Sequence, residues 1–473
     1  MFSLGSPLVL EVGLAVLMVV IFFAGVFAHG DDRRRVGVMA AVGLVVLFGL
    51  AWRTEPGAAL FSGSFVQDEM AIFAKRLFLL ATIIGVLGSL ALRAATFARR
   101  ATEYYLAILA SLLGMLVLAS ARDLILLFVA FELMSIPLYY LAGFLKREEE
   151  AVEAALKFFL VGTVSSAILV YGLSFVYGVA GTTDIRGIAR ALQGGHPLIM
   201  LGMVLALAGL GFKIAAFPFH MWVPDTYEAA STPFVAWLSV APKAAGFVVI
   251  FRLYLEGVGD PVMLWVPLAA GLATITIVAG NLMAIPQQNV KRLLAYSGIA
   301  HIGYMLVGFA AVSANGVAMM LFYLVAYLFG NMGAFLVVEA VAQSEGSESI
   351  AAYRGLAQRS PMLALSMLLF LLSLGGIPFV AGFWAKLYVF WAAAEQGLYW
   401  LVLVGAILTV VALFYYLLVA KRMYIDAPET TTPVVVAPFL TLSILLCALG
   451  VVGMGLYPKP LVMAALRAAS GLF

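Results

Sequence analysis

Three charged side chains sit where this chain leaves little room for water. Lys213 and Lys243 lie inside long apolar runs, and Glu132 lies in the middle of an earlier one. A charge at mid-membrane depth costs about 3 kcal/mol or more, so such residues mark ion or proton paths by default. Lysine is suited to proton transfer, because desolvation lowers its proton affinity and a neighbouring carboxylate raises it. Two unit charges ~4 Å apart interact by about 4 kcal/mol at an effective dielectric near 20. That corresponds to roughly three pKa units. Movement of Glu132 toward or away from Lys213 is therefore expected to switch the lysine between holding and releasing a proton.

Counting inward from polar loops at ~1.5 Å per residue places Glu132, Lys213, Lys243 and His301 at one depth on four segments. Groups at one depth imply a polar line running along the membrane plane rather than a pore across it. Lys386 is expected nearer the outer side, beyond a Gly/Pro break, and Lys157 near the cytoplasmic start of its segment. Simpler roles compete for some of these residues. Lys157 can snorkel to the interface, His301 can be a neutral core histidine, and Glu132 can be a structural counter-ion. Asp225 and Glu228 are expected to shape the W-V-P-D-T-Y-E turn.

The elements that position these groups follow from composition. The chain has 473 residues, is 64% hydrophobic and 11% charged, and has a mean hydropathy of +1.10. That is the composition of an all-α, polytopic membrane protein. A net charge of +3 gives a nucleic-acid partner no support. The single cysteine, Cys447, reads as packing, and the four histidines are scattered. Runs of about 20 apolar residues predict fourteen spans. They cover 7–28, 36–52, 70–92, 103–119, 123–144, 153–180, 197–224, 233–255, 261–285, 292–311, 316–342, 361–394, 398–420 and 434–457. The first has no basic residue before it and is expected to be a retained span. The segment 185–193 is expected to be a short surface helix.

Most loop lysines and arginines follow odd-numbered spans, including Arg33, Arg34, Arg35, Arg93, Lys146, Arg147, Lys291, Arg292, Lys421 and Arg422. The positive-inside rule puts these loops in the cytoplasm and both termini outside. Spans seven and twelve are long and interrupted, by Gly209, Gly211 and Pro218 and by Gly375, Gly376 and Pro378. They are five spans apart and so enter the membrane from opposite sides. Paired broken helices of opposite direction indicate inverted repeats. The expected organisation is three helices over 1–100, a five-helix repeat over 101–257, a second inverted one over 258–425, and a last helix with a tail over 426–473.

The motifs F-E-L-M-S-I-P-L-Y-Y-L-A-G-F (131–144), E-A-A-L-K-F-F-L-V-G (153–162) and G-F-K-I-A-A-F-P-F-H-M-W-V-P-D-T-Y-E (211–228) carry a family resemblance. So do S-V-A-P-K-A-A-G-F (239–247), K-R-L-L-A-Y-S-G-I-A-H-I-G-Y (291–304) and G-I-P-F-V-A-G-F-W-A-K (376–386). Together they resemble the N-type antiporter-like membrane subunits of bacterial NADH-quinone oxidoreductase, respiratory complex I. Lys386, where a glutamate is absent, and the P-D-T-Y-E-A-A-S-T-P loop point to the N type. The resemblance implies that Glu132 pairs with Lys213, that Lys243 passes protons along the central axis, and that Lys386 serves an outer half-channel. It also implies a bacterial inner or plasma membrane location, with other membrane and peripheral subunits and the lipid bilayer as partners. NADH and quinone would be used elsewhere in the complex. The chain carries no flavin, iron–sulfur or dinucleotide motif, so no cofactor is expected in it.

Two alternatives share some of these features. A subunit of a multi-subunit sodium/proton antiporter has similar motifs. A stand-alone secondary transporter would need broken helices converging on a pocket, whereas the ionisable groups here form a line.

Overall fold

The computed structural model describes residues 6–28, 32–92, 95–145, 149–191, 196–257 and 262–472. Arg93, Lys146, Arg147, Gln193 and the side chains of Arg33 and Arg34 lie outside the described residues.

The chain opens with α1 (Val9–Phe27) and α2 (Asp32–Leu50). A small antiparallel hairpin follows, β1 (Ala58–Leu60) and β2 (Phe65–Gln67). Next come α3 (Glu69–Ser89), α4 (Ala95–Ser120), α5 (Leu124–Ala142) and α6 (Glu149–Ala180). The short α7 (Ile185–Ala191) buries Ile185 and Ile188 and exposes Arg190, as expected of a surface helix. Span seven is α8 (Pro197–Ile214) followed by α9 (Trp222–Ala229), and span eight is α10 (Thr232–Leu238) followed by α11 (Ala241–Phe251). The second half contains α12 (Val262–Ala284), α13 (Val290–Ala310), α14 (Ala314–Glu345) and the short α15 (Leu356–Arg359). It ends with α16 (Pro361–Gly375), α17 (Ala381–Glu395), α18 (Tyr399–Tyr424), α19 (Pro438–Leu456) and α20 (Lys459–Ser470).

Among the described residues, twelve helices are long and apolar enough to cross a membrane, and Arg35–Leu50 and Pro361–Gly375 are shorter apolar helices. Each of the fourteen expected spans therefore has its helix. Local chemistry sets several starts. Asp68 caps α3 through the Ala71 N–H, Asn289 caps α13 through Lys291 N–H, and Ser313 caps α14 through Gly316 N–H. Proline occupies the first turn of α8, α16 and α19, where its missing N–H costs nothing.

Three features depart from the sequence reading. Span eight, expected to be continuous, is broken at Ser239–Val240. Pro242 explains the break, since its ring clashes with the carbonyl four residues back and it cannot donate to it. The loop after α2 folds into the hairpin. The tail after span fourteen is the amphipathic helix α20, which packs on α3 and α14.

Burial identifies the centre of the molecule. Every residue of α10 and α11 is buried, as are nearly all of α13 and most of α14. By contrast α1, α6, α18 and α19 show exposed Val, Leu and Phe side chains, the surface a lipid environment requires. The helices that carry Lys243 and His301 are thus the innermost.

Corresponding helices of the two halves pack alike. Gly114 of α4 lies against the backbone of Met134 and Ala130 in α5, and Gly280 of α12 lies against the backbone of Ala300 and Tyr296 in α13. In both pairs a Cβ would sit 2.4 Å from a main-chain nitrogen, so only glycine admits the approach. The two breaks also match: α8 ends on Ala215 at φ 63°, and α16 ends on Gly376 at φ 82°.

Candidate functional site: a buried polar line

Each broken helix presents its carbonyl end to a lysine. Lys213 lies in the last turn of α8, two residues before the left-handed Ala215. Lys386, on α17, turns back so that Nζ donates to the Gly375 carbonyl at the end of α16, 3.3 Å away. A helix C-terminus attracts a cation by roughly 0.3–1 kcal/mol. Lys243 sits in the opposite situation, in the first turn of α11, where the helix dipole repels a cation.

All three lysines are at most 4% exposed. Lys213 Nζ donates to the Tyr139 hydroxyl at 3.0 Å and lies over the rings of Tyr139, Phe131 and Phe212. Trp222 fixes this end of α8, its indole N–H donating to the Phe212 carbonyl at 3.0 Å. Gly246 of α11 packs against Lys213 and Ile214, one turn from Lys243. Lys243 Nζ lies 5.4 Å from the centre of the Tyr227 ring and has no hydrogen-bond partner among the described residues. The Tyr327 hydroxyl, also without a hydrogen-bond partner among the described residues, lies on the same side of Gly298 as Lys243 Nζ: a Cβ there would sit 2.8 Å from the hydroxyl and 3.6 Å from the amine.

From Tyr327 the line continues through His301, whose ring is 5.1 Å away, centre to centre. His301 Nδ1 is 2.8 Å from the Tyr323 hydroxyl and Nε2 is 3.2 Å from the Tyr416 hydroxyl. Tyr416 also hydrogen-bonds Ser297 at 2.5 Å. Tyr304, one turn from His301, accepts from Asn281 at 3.2 Å and presents its ring 4.7 Å from Lys386 Nζ. A buried series of amines, imidazole and hydroxyls therefore runs from Lys213 to Lys386 through the innermost helices, its Lys213 and Lys243 members brought together by the packing of Gly246.

Glu132 stands at the other end of this line, on α5 two turns from Tyr139. Its Oε1 accepts from Ser166 of α6 at 2.6 Å. It makes no ion pair with Lys213 within 4.0 Å: its carboxylate meets Ser166 of α6, while Lys213 reaches α5 at Tyr139 and Phe131. The direct pairing implied by the family resemblance is absent in this structure, and Tyr139 is the α5 hydroxyl that meets Lys213 instead. Lys157 is not brought into the line. It is half-exposed and pairs with Glu153 at 2.7 Å and Asp225 at 3.2 Å.

Asp225 and Glu228 do more than shape their turn. Both pair with Arg292 of α13, at 3.0 and 2.7 Å, while Lys291 donates to the Glu228 and Ala230 carbonyls and pairs with Glu348. They tie α9 of the first half to α13 of the second. At the opposite end Asp68 pairs with Arg252 at 2.7 Å and with Arg122 at 2.5 Å, and Glu256 pairs with both arginines. Burial pushes the Asp68 carboxyl up, but the guanidinium groups of Arg252 and Arg122 outweigh it and hold it well below the usual carboxylate range. Glu11 of α1 and Lys75 of α3 form a further buried pair at 2.7 Å.

Sequence reasoning missed Tyr139, Tyr304, Tyr323, Tyr327 and Tyr416. Two signals could have found some of them. Y-S-G-I-A-H-I-G-Y places Tyr304 one turn from His301, and Tyr323 and Tyr327 repeat at four residues on a buried helix.

A family profile described as "NADH:quinone oxidoreductase/Mrp antiporter, TM" matches residues 121–412. The chain is 41% identical over 469 residues to NADH-quinone oxidoreductase subunit N of Moorella thermoacetica, covering 98% of each. A chain of respiratory complex I from Thermus thermophilus with bound aureothin superposes with a TM-score of 0.82 at 33% identity, covering 96% of this chain and 98% of that one. A chain of the Mrp complex from Dietzia sp. DQ12-45-1b has a TM-score of 0.86 at 21% identity, covering 98% and 97%. That last likeness is one of fold alone. With near-complete coverage at this identity, the chain belongs to the NADH-quinone oxidoreductase subunit N family of antiporter-like membrane subunits.

Proposed function

We propose that this chain moves protons across a bacterial membrane as a subunit of NADH-quinone oxidoreductase, driven by quinone reduction in partner subunits. Family membership supports the assignment, and one observation carries the mechanism: the buried series of ionisable and hydroxyl groups from Lys213, past Lys243 and His301, to Lys386. Lys213, Lys243 and Lys386 are the groups that bind and release the proton. The hydroxyls of Tyr139, Tyr327, Tyr323, Tyr416 and Tyr304 bridge between them, with His301 at the centre. Glu132 sets the charge at the Lys213 end. Lys157 takes the structural role its surface ion pairs support. The two halves, 101–257 and 258–425, act as inverted repeats that each supply one broken helix. Redox chemistry is assigned to the partner subunits, and this chain's part is the movement of protons.

Lys243→Met is the most direct test. Methionine fills the same volume and removes a buried amine that has no hydrogen-bond partner among the described residues. The assembled complex should form in wild-type amounts while proton pumping per quinone reduced falls. Wild-type pumping in that variant would exclude the lysine line as the proton path.

A further inference from the structure

The innermost helix α14 carries a polar stripe that the line described above uses only in part. Tyr327, Asn331, Glu339 and Gln343 recur at four-residue spacing, interrupted once by Phe335. Residues four apart share a helix face, so the stripe runs from the Lys243 pocket to the end of the molecule that holds Lys291 and Arg292. Glu339 lies three turns from Tyr327, ~18 Å along the axis.

Glu339 is 7% exposed. Its Oε1 accepts from Gln343 at 2.6 Å, and Gln343 in turn donates to the Ala91 carbonyl at 3.0 Å. It has no cation within ion-pairing distance among the described residues: Lys291 of α13, which acts on it, is taken by Glu348 at 2.8 Å. A buried carboxylate without an ion-pair partner is expensive and needs a reason. The groups facing it are Lys291 of α13, Glu348 beyond the end of α14, Tyr104 of α4 and Thr232 of α10.

Buried polar atoms without protein partners lie along the same side. Tyr227 OH, Asn331 Oδ1 and Lys243 Nζ lack a hydrogen-bond partner among the described residues, and Tyr104 OH and Ser231 Oγ face each other at the Glu339 end. Buried polar groups in folded proteins are satisfied, by water where protein offers nothing. Their alignment from Glu339 to Lys243 describes a hydrated route. Asn331 Nδ2 donates at 2.7 Å to Ser239, at the break between α10 and α11, one turn before Lys243. The one apolar member, Phe335, is fully buried with its ring 5.8 Å from that of Tyr227. Tyr227 is the ring over which Lys243 sits.

We propose that this face of α14 is a proton-uptake branch, with Glu339 as the relay at its mouth and Phe335 against Tyr227 as the constriction before Lys243. The inference rests on the reading of Lys243 as a proton carrier. A proton from bulk water binds a Glu339 carboxylate oxygen, then passes along bridging water to the free amine of Lys243. Glu339 returns to the carboxylate and no electrons move.

The experiment measures redox-driven proton pumping, across a range of pH, in membranes holding equal amounts of assembled complex. The variants are Glu339→Gln, Glu339→Asp and Phe335→Trp, with Lys243→Met as the control. Glutamine keeps a partner for Gln343 but carries no exchangeable acid proton. The expected result is a fall of at least about tenfold with Glu339→Gln, steeper as pH rises because bulk protons become scarce. Glu339→Asp should restore most of the rate, and Phe335→Trp should slow pumping without changing its pH profile. If Glu339→Gln pumps normally while Lys243→Met does not, the branch is wrong and the proposed function stands. If both pump normally, the proposed function itself is wrong. Equal losses with Glu339→Gln and Glu339→Asp at every pH would make Glu339 structural and overturn the branch. Should Glu339→Gln fail to assemble, Phe335→Trp decides alone, and wild-type pumping by it overturns the proposal.

Discussion

Lys213 donates to Tyr139, two turns along α5 from Glu132, and not to Glu132 itself. The carboxylate is engaged by Ser166 on α6. With the two charges more than 4.0 Å apart, their interaction at an effective dielectric near 20 stays below about 4 kcal/mol. Tyr139 supplies the short-range contact to the lysine that Glu132 does not. A shift of the Tyr139 ring away from Lys213 removes the one hydrogen-bond acceptor the lysine has among the described residues, a switch that needs no movement of a helix.

Lys213→Arg should block proton movement through this chain about as well as Lys213→Ala. Arginine keeps the charge but is effectively never deprotonated, with a pKa above about 12. A purely structural interaction predicts the reverse, since arginine donates to hydroxyls and carboxylates at least as well as lysine. Pumping by equal amounts of assembled variant complex decides between them.

Tyr139→Phe keeps the ring under Lys213 and deletes the acceptor. Loss of the hydrogen bond to a charged donor costs about 1.5–3 kcal/mol, so pumping should slow by roughly ten- to a hundredfold if Tyr139 carries the proton or holds the lysine in place. Unchanged pumping would return the connection to Glu132 acting through space.

Lys386→Ala should cut proton pumping while the complex still assembles. Among the described residues its Nζ meets the Gly375 carbonyl and the Tyr304 ring and no carboxylate, so removing it leaves no charge there unpaired. Quantifying assembled complex beside pumping separates the two effects. Normal pumping would make Lys386 a cap for the broken helix α16 and nothing more.

Asp68→Asn should destabilise the chain by about 3 kcal/mol, since it strips a shared carboxylate from the largely buried Arg252 and Arg122. Thermal unfolding in detergent reads this directly. The sign with pH follows from the depressed carboxyl of Asp68. Its contribution is fully present above the unfolded value of about 3.9 and is lost only as pH falls through the lower folded value. Stability from this cluster should thus be flat through neutral pH, and an acid-induced loss near pH 6 would contradict the assignment.

A cysteine at Glu429, in the loop after α18 whose carboxylate pairs with Arg354, should resist an impermeant thiol reagent in intact cells and react after lysis. Cys447 is buried and gives little background. Labelling without lysis would invert the orientation drawn from the basic loops.

The sequence by itself determined the number of spans, the two breaks and which lysines lie inside spans. Each of those is a one-dimensional signal: run length against membrane thickness, glycine and proline against helix continuity, and charge against hydrophobic surroundings. It also placed Lys213, Lys243 and His301 on separate helices. Which side chains meet was decided only by tertiary structure. Depth counting cannot show that Glu132 turns to Ser166 while Lys213 meets Tyr139, nor that Gly246 lets Lys213 approach α11 beside Lys243. The tyrosines were invisible for a related reason. A tyrosine in an apolar run reads as packing, and only the fold shows its hydroxyl aimed at His301 or Lys213. Glu339 was passed over because it lies near a helix end, where a carboxylate ordinarily meets water. Packing of α10 and α13 against α14 turns an ordinary surface acid into a largely buried one.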